Sequence, residues 1–166
     1  MRTLRALVLP ALLAPALPAQ QLTHLNVPAK QLVSLNVTQC WWSGCGAPQW
    51  QFWQDGQSPG WVQSMSWFVP KGSSFVILEI DYLYSGLSAW GRLDLYLSAP
   101  GQPGQGIALL SRIGLDPSAS PTAKTLVLAS GIRVPSEYGL QWSKYQPPNS
   151  GNLSTTIILR GYLVEE

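Results

Sequence analysis

Residues 74–98 read "SFVILEIDYLYSGLSAWGRLDLYLS", two apolar runs separated by a short Gly- and Ser-containing break. The second run, 91–98, alternates strictly. Leu93, Leu95 and Leu97 fall on one face and Arg92, Asp94 and Tyr96 on the other, as an extended chain with a two-residue period requires. The first run, 74–85, is rich in the β-branched and aromatic residues that suit a pleated surface. Its alternation places Val76, Leu78, Ile80 and Tyr82 on one face, with Glu79 and Asp81 opposite. The leucine and isoleucine faces are expected to meet in a core, and the two carboxylates to be solvated or paired with Arg92.

Working outward, the same texture continues in both directions, and no amphipathic helix of ten residues interrupts it. Further candidate strands are 31–38, 61–70, 106–114, 124–134, 138–145 and 153–165, with a short one at 22–27. Specific breakers separate them: "PKGS", "APGQPGQG", "DPSASP", "VPSEYG" and "QPPNSG". Eight or nine strands at this spacing indicate an all-β fold, a single antiparallel β-sandwich of jelly-roll-like Greek-key type. Two segments echo each other: "WFVPKGSSFVIL" (67–78) and "GIRVPSEYGLQW" (131–142) both run strand, Val-Pro, polar turn, strand. Proline lacks the ladder donor and ends a strand, so each is expected to be an ordinary hairpin. A duplicated half-fold is the alternative.

The amino terminus has a different character. "MRTLR" is basic, "ALVLPALLAPAL" is a short apolar run broken by proline, and "PAQ" supplies small residues for cleavage. That order is a secretory signal peptide, expected over 1–19, leaving a single sandwich domain over 20–166. The run is too short and too interrupted to span a bilayer, which takes about 20 apolar residues; a retained membrane anchor is the rival reading. The full chain carries ten Lys plus Arg and eight Asp plus Glu, and loss of Arg2 and Arg5 with the leader leaves eight against eight. Nucleic-acid binding needs clustered Lys and Arg against phosphate, and no such cluster occurs. The expected localisation is secreted, extracellular or periplasmic, with no membrane span in the mature form. Charged residues make up only 11% of the chain, so the exterior must be built mainly from Ser, Thr, Gln, Asn, Gly and Pro.

The segment "QCWWSGCGAPQWQFW" (39–53) gathers both cysteines and half of the eight tryptophans. In an oxidising compartment Cys40 and Cys45 are expected to pair as a disulfide. The loop is small, so the bond's entropic effect is only about 2 kcal/mol and its role is local. His24 is the lone histidine, and a zinc site would need two more ligands than the cysteines supply. No metal and no cofactor is expected. Tryptophan faces suit stacking on sugar rings, and Trp41, Trp42, Trp50 and Trp53 are the candidate ligand-binding residues. Tryptophan is equally a large core filler and an interface residue.

Catalytic constellations are sparse. No Gly-x-Ser-x-Gly elbow surrounds a serine, and His24, near the mature amino terminus in a polar stretch, is expected to be a solvent-facing or strand-edge histidine and not a general base. Glycoside hydrolysis needs two carboxylates across a cleft; Glu79 with Asp94, or Asp81 with Glu137, are the pairs available, and surface ion pairs account for each as well. A calcium site would have to draw on Asp55, Asp94 and Asp116 in or beside loops. Asn36 and Asn152 open glycosylation acceptor patterns. The expectation is therefore a protein that is not an enzyme and acts by contact, as a structural, assembly or cell-surface subunit. Its partners are copies of itself or other exported proteins. The alternative is a carbohydrate-binding module using tryptophans of 41–53, with a polysaccharide as ligand.

Overall fold

The computed structural model describes residues 31–39, 48–54, 60–119, 122–147 and 153–166. The expected leader (1–19), the strand at 22–27, His24, both cysteines, Trp41, Trp42, Asp55 and Asn152 lie outside them. Ten strands account for 70% of the described residues: β1 (Leu32–Gln39), β2 (Gln49–Gln54), β3 (Trp61–Gln63), β4 (Trp67–Phe68), β5 (Ser73–Ser85), β6 (Gly91–Ser98), β7 (Gly106–Leu115), β8 (Thr122–Val134), β9 (Gly139–Tyr145) and β10 (Ser154–Glu165). A 3-10 turn at Pro117–Ala119 links β7 to β8.

The strands form two antiparallel sheets, ordered β3-β2-β1-β10-β5-β8 and β4-β9-β6-β7. Leaving out β2 and β3, the pairs are β1 with β10, β4 with β9, β5 with β8 and β6 with β7. That is a two-stranded ribbon rolled up on itself, the jelly-roll connection, and it closes a sandwich around one core. Strands β2 and β3 extend the larger sheet beyond β1. The run 61–70, read as one strand, is split: its first part joins the larger sheet as β3 and its second the smaller as β4. The chain crosses between them where Ser64 carbonyl accepts the Trp50 indole N–H at 3.0 Å, and where the buried Ser66 and Ser98 hydroxyls meet at 3.0 Å.

Alternation delivers the core. Val33, Leu35 and Val37 of β1, Ile157 and Leu159 of β10, and Ile80 and Tyr84 of β5 face Leu93 and Leu95 of β6, Leu140 and Trp142 of β9, and Ile113 and Leu115 of β7. An aromatic relay ties the sheets together: Phe52 of β2 stacks on Trp67 of β4 at 5.3 Å, and Trp67 meets Phe75 of β5 edge-on at 5.8 Å. Such pairs add about 0.5–1.5 kcal/mol each beyond the area they bury.

Strand β5 departs from simple alternation. Phe75 and Ile77 are buried, and so is Ile80, whereas Val76 and Leu78 are only half-buried. The expected face of Val76, Leu78, Ile80 and Tyr82 is therefore wrong in its first half. Leu78 is an extra residue: in the pairing with β10, Glu79 opposes Arg160 and Ile77 opposes Gly161, with Leu78 skipped. A bulge of this kind reverses which parity points inward. The partner of the bulge is Gly161, where a Cβ would overlap the carbonyl oxygen of Val76.

The two Val-Pro echoes are not hairpins. The first carries the chain from β4 in the smaller sheet to β5 in the larger, the second from β8 in the larger to β9 in the smaller. Each is a corner between sheets. Ser73 N–H donates to Pro70 carbonyl and Tyr138 N–H to Pro135 carbonyl, both at 3.2 Å. Gly72 and Glu137, at matching positions, both have positive φ, 77° and 63°. The corners also clasp each other: Val69 N–H donates to Tyr138 carbonyl, Glu137 N–H to Val69 carbonyl, and Gly72 N–H to Ser136 Oγ.

Because backbone must move to admit a methyl group at position 161, Gly161→Ala is expected to destabilise the fold by about 3 kcal/mol or more. Urea unfolding followed by tryptophan fluorescence measures it, and a loss below about 1 kcal/mol would mean the bulge is not rigid.

Candidate functional site

The described end of the tryptophan segment runs into a strand, β2. In "QWQFWQ" (49–54), Trp50 and Phe52 point inward and Gln49, Gln51 and Trp53 outward, set by pairing with β1. Trp50 is 1% exposed with its indole N–H bonded to Ser64 carbonyl. It packs the core and offers no ring to a ligand. Trp53 is 37% exposed on the outer face of the larger sheet. Of the four candidates, the described residues thus place one in the core and one on the surface. The alternation of Gln with aromatics was the signal that could have separated them.

Around Trp53 the outer face of the larger sheet is a polar platform. Register aligns Trp53, Ser34, Arg160 and Glu79 in one row across β2, β1, β10 and β5, and Gln51, Asn36, Ile158 and Asp81 in the next. Arg160 pairs with Asp81 and, at 3.5 Å, with Glu79. Thr125 Oγ1 donates to Asp81 at 2.6 Å. The expected partner of these acids, Arg92, is on the other sheet. A depression of about 500 Å3 opens here, walled by Asp81, Leu83, Thr125, Thr156, Ile158 and Arg160. Asn36, part of an acceptor pattern, is mid-strand on this face and accepts from Ser34 Oγ at 3.2 Å.

The smaller sheet's outer face carries a tighter charge cluster. Asp94 is 3% exposed, not solvated beside a loop, because two arginines cover it. Arg112, its direct partner on β7, donates from Nε at 2.7 Å and Nη2 at 3.2 Å, and Arg92 Nε approaches at 3.1 Å. Tyr96 hydroxyl donates at 3.3 Å. Burial alone would raise the Asp94 carboxyl, but the bond and charge of Arg112 and the charge of Arg92 outweigh it and hold the group below the usual carboxylate range. The Arg92 guanidinium also lies 5.0 Å from the centre of the Tyr145 ring. Glu79 and Asp94 sit on the outer faces of different sheets, and Glu137 belongs to a corner, so neither carboxylate pair considered for hydrolysis faces across a cleft. Asp116 is occupied by the amide and hydroxyl of Ser118, at 2.8 and 2.7 Å.

A third feature is the edge shared by β7 and β8. Among the described residues β7 pairs only with β6 and β8 only with β5, so both sheets end open on the same side of the sandwich. Val127 is 67% and Ile107 56% exposed there, joined by Leu109 and Leu126. Long apolar edges of this kind are templates for pairing with another chain.

No protein-family model matches the chain, and no curated protein shows significant similarity to it.

Lys144 escaped the sequence reading, though it sits at an inward position opposite Leu93. Its ammonium is buried and donates to Leu153 carbonyl at 3.1 Å. Burial lowers its pKa from 10.5 to about 8. Between these values the unfolded chain holds a proton that the folded one has released, so stability rises with pH through that window. Relative to Lys144→Met, the native protein is expected to gain up to about 3 kcal/mol between pH 7.5 and 10.5. Urea titrations of both proteins across this range measure the gain; parallel pH profiles would show a fully protonated, well-solvated amine.

Proposed function

We propose that this is an exported, non-catalytic β-sandwich protein that acts by contact, assembling with copies of itself or with other exported proteins. The observation that carries this reading is the β7/β8 edge, where exposed Ile107, Leu109, Leu126 and Val127 accompany two strands that, among the described residues, have no neighbour on their outer side. The leader-like start and the low charge of the chain support it. Lys124 is the one charged residue in 122–130, so two copies can pair antiparallel through β8 without setting like charges opposite each other. At about 3.3 Å per residue, nine residues span about 30 Å. With both sheets contributing, each copy would bury on the order of 600 Å2, at the lower end of specific interfaces. Light scattering of the mature protein at increasing concentration is expected to show a dimer. Val127→Lys with Leu109→Lys, both at exposed positions, should raise the dissociation constant at least about tenfold. A monomer at every concentration, with no change in the double variant, would refute the edge as a contact.

Trp53 favours a second reading, a module that holds a neutral glycan. Its exposed ring stands beside Gln51, Ser34 and Asn36, with Arg160, Asp81 and Thr125 further along the same face. A flat ring beside convergent hydrogen-bonding groups suits a sugar, whose faces are apolar and whose rim is hydroxyl. Soluble oligosaccharides are then expected to quench tryptophan fluorescence in the native protein and to lose at least about tenfold in affinity in Trp53→Ala. Equal binding by both would remove Trp53 from the site.

A further inference from the structure

We infer that the outer face of the smaller sheet holds an oxyanion-binding site, a gap floored by Gly114 and bordered by Arg92 and Arg112. This inference stands apart from the contact reading. Four positions form a square on that face: Arg92 and Asp94 on β6, and opposite them Gly114 and Arg112 on β7. One corner holds a carboxylate and two hold guanidiniums. The fourth holds nothing: a Cβ built on Gly114 would find no atom within 4 Å. The square therefore carries two positive charges against one negative charge.

The imbalance is held in place. Asp94 engages Arg112 through Nε and the terminal Nη2, and Arg92 through Nε. Arg92 is further steadied over the Tyr145 ring. Among the described residues the two terminal nitrogens of Arg92 have no acceptor, Arg112 also has the Tyr96 hydroxyl beside it, and both side chains are about half exposed. The nearest other carboxylate along the strand, Asp116, is taken up by Ser118. A second carboxylate, or a sulfate, seated over Gly114 would complement the square as Asp94 does from the opposite corner. Guanidinium recognises such groups through parallel N–H donors in a fixed fork. The ligand class is a compact oxyanion, free or carried on a larger molecule such as an acidic saccharide.

NMR titration of the full mature chain with sodium glucuronate, and separately with sodium sulfate, tests this at ionic strength kept constant with sodium chloride. The Gly114 amide and the Arg112 Nε–H signals are expected to shift and saturate with a dissociation constant of about 1–10 mM, while glucose leaves them unmoved. Arg92→Gln, which leaves a balanced Arg112–Asp94 pair, and Gly114→Asp, which fills the gap with a tethered carboxylate, should each weaken binding at least about tenfold. Gly114→Ala, which leaves most of the gap open, should stay within about threefold. Saturation by glucuronate alone assigns a planar carboxylate, by sulfate alone a tetrahedral anion, and both uphold the site. Saturation by neither anion below about 100 mM, or undiminished binding by Gly114→Asp and Arg92→Gln, overturns it.

Discussion

The carbonyl of Val76 lies where any side chain on Gly161 would begin, and that closeness of two backbones governs the larger sheet. The extra residue Leu78 can be accommodated only because β10 comes so near at this point. Ahead of the bulge β5 turns Phe75 and Ile77 inward; beyond it Ile80 and Tyr84. Without the shift, one half of this 13-residue strand would present its apolar side chains to water. Strand β8 has its own register shift beside the same place, between Ile77 and Glu79. The strands on both sides of β5 thus accommodate the same irregularity, and Phe75 can reach Trp67 across the core.

Much of the architecture was legible in local pattern. Residues 91–98 form β6 as the alternation required, and the long runs near 74–85, 124–134 and 153–165 each became a strand of the sandwich. What was not legible depends on partners distant in sequence. Period-two counting cannot show a bulge, because Leu78 is extra only relative to β10 and β8. The Val-Pro turns read as hairpins because proline marks the end of a strand without saying which sheet the next one joins. Trp50 and Trp53 differ by three positions and so lie on opposite faces, a distinction that appears only once 49–54 is recognised as a strand. The burial of Asp94 follows from Arg112, 18 residues along the chain, which no local reading brings to it.

The charge economy of the exterior follows the same logic. Among the described residues, eight of the few ionisable side chains are grouped: Arg160 with Asp81 and Glu79 on one face, Arg92 and Arg112 with Asp94 on the other, Arg133 with Glu166 near the carboxyl end. The exposed pairs, Arg160 with Glu79 and Asp81 and Arg133 with Glu166, contribute about 0–1 kcal/mol each, so their placement matters less for holding the fold than for the character of each surface; Asp94 is buried and depends on its arginines. One face is close to charge balance and rich in hydroxyl and amide groups; the other carries a local positive excess around a half-covered aromatic.

The sandwich is lopsided in one respect that bears on how it can multiply. Among the described residues, the sheets end on one flank in β3 and β4, three and two residues long, and on the other in β7 and β8, ten and thirteen residues long. A building block with extended borders on both flanks could add neighbours without limit, as a filament does. Under the contact reading proposed above, the valence is one. Two copies joined along their long borders around a two-fold axis would use up what each has to offer and leave only stubs outward, so growth stops at a closed pair.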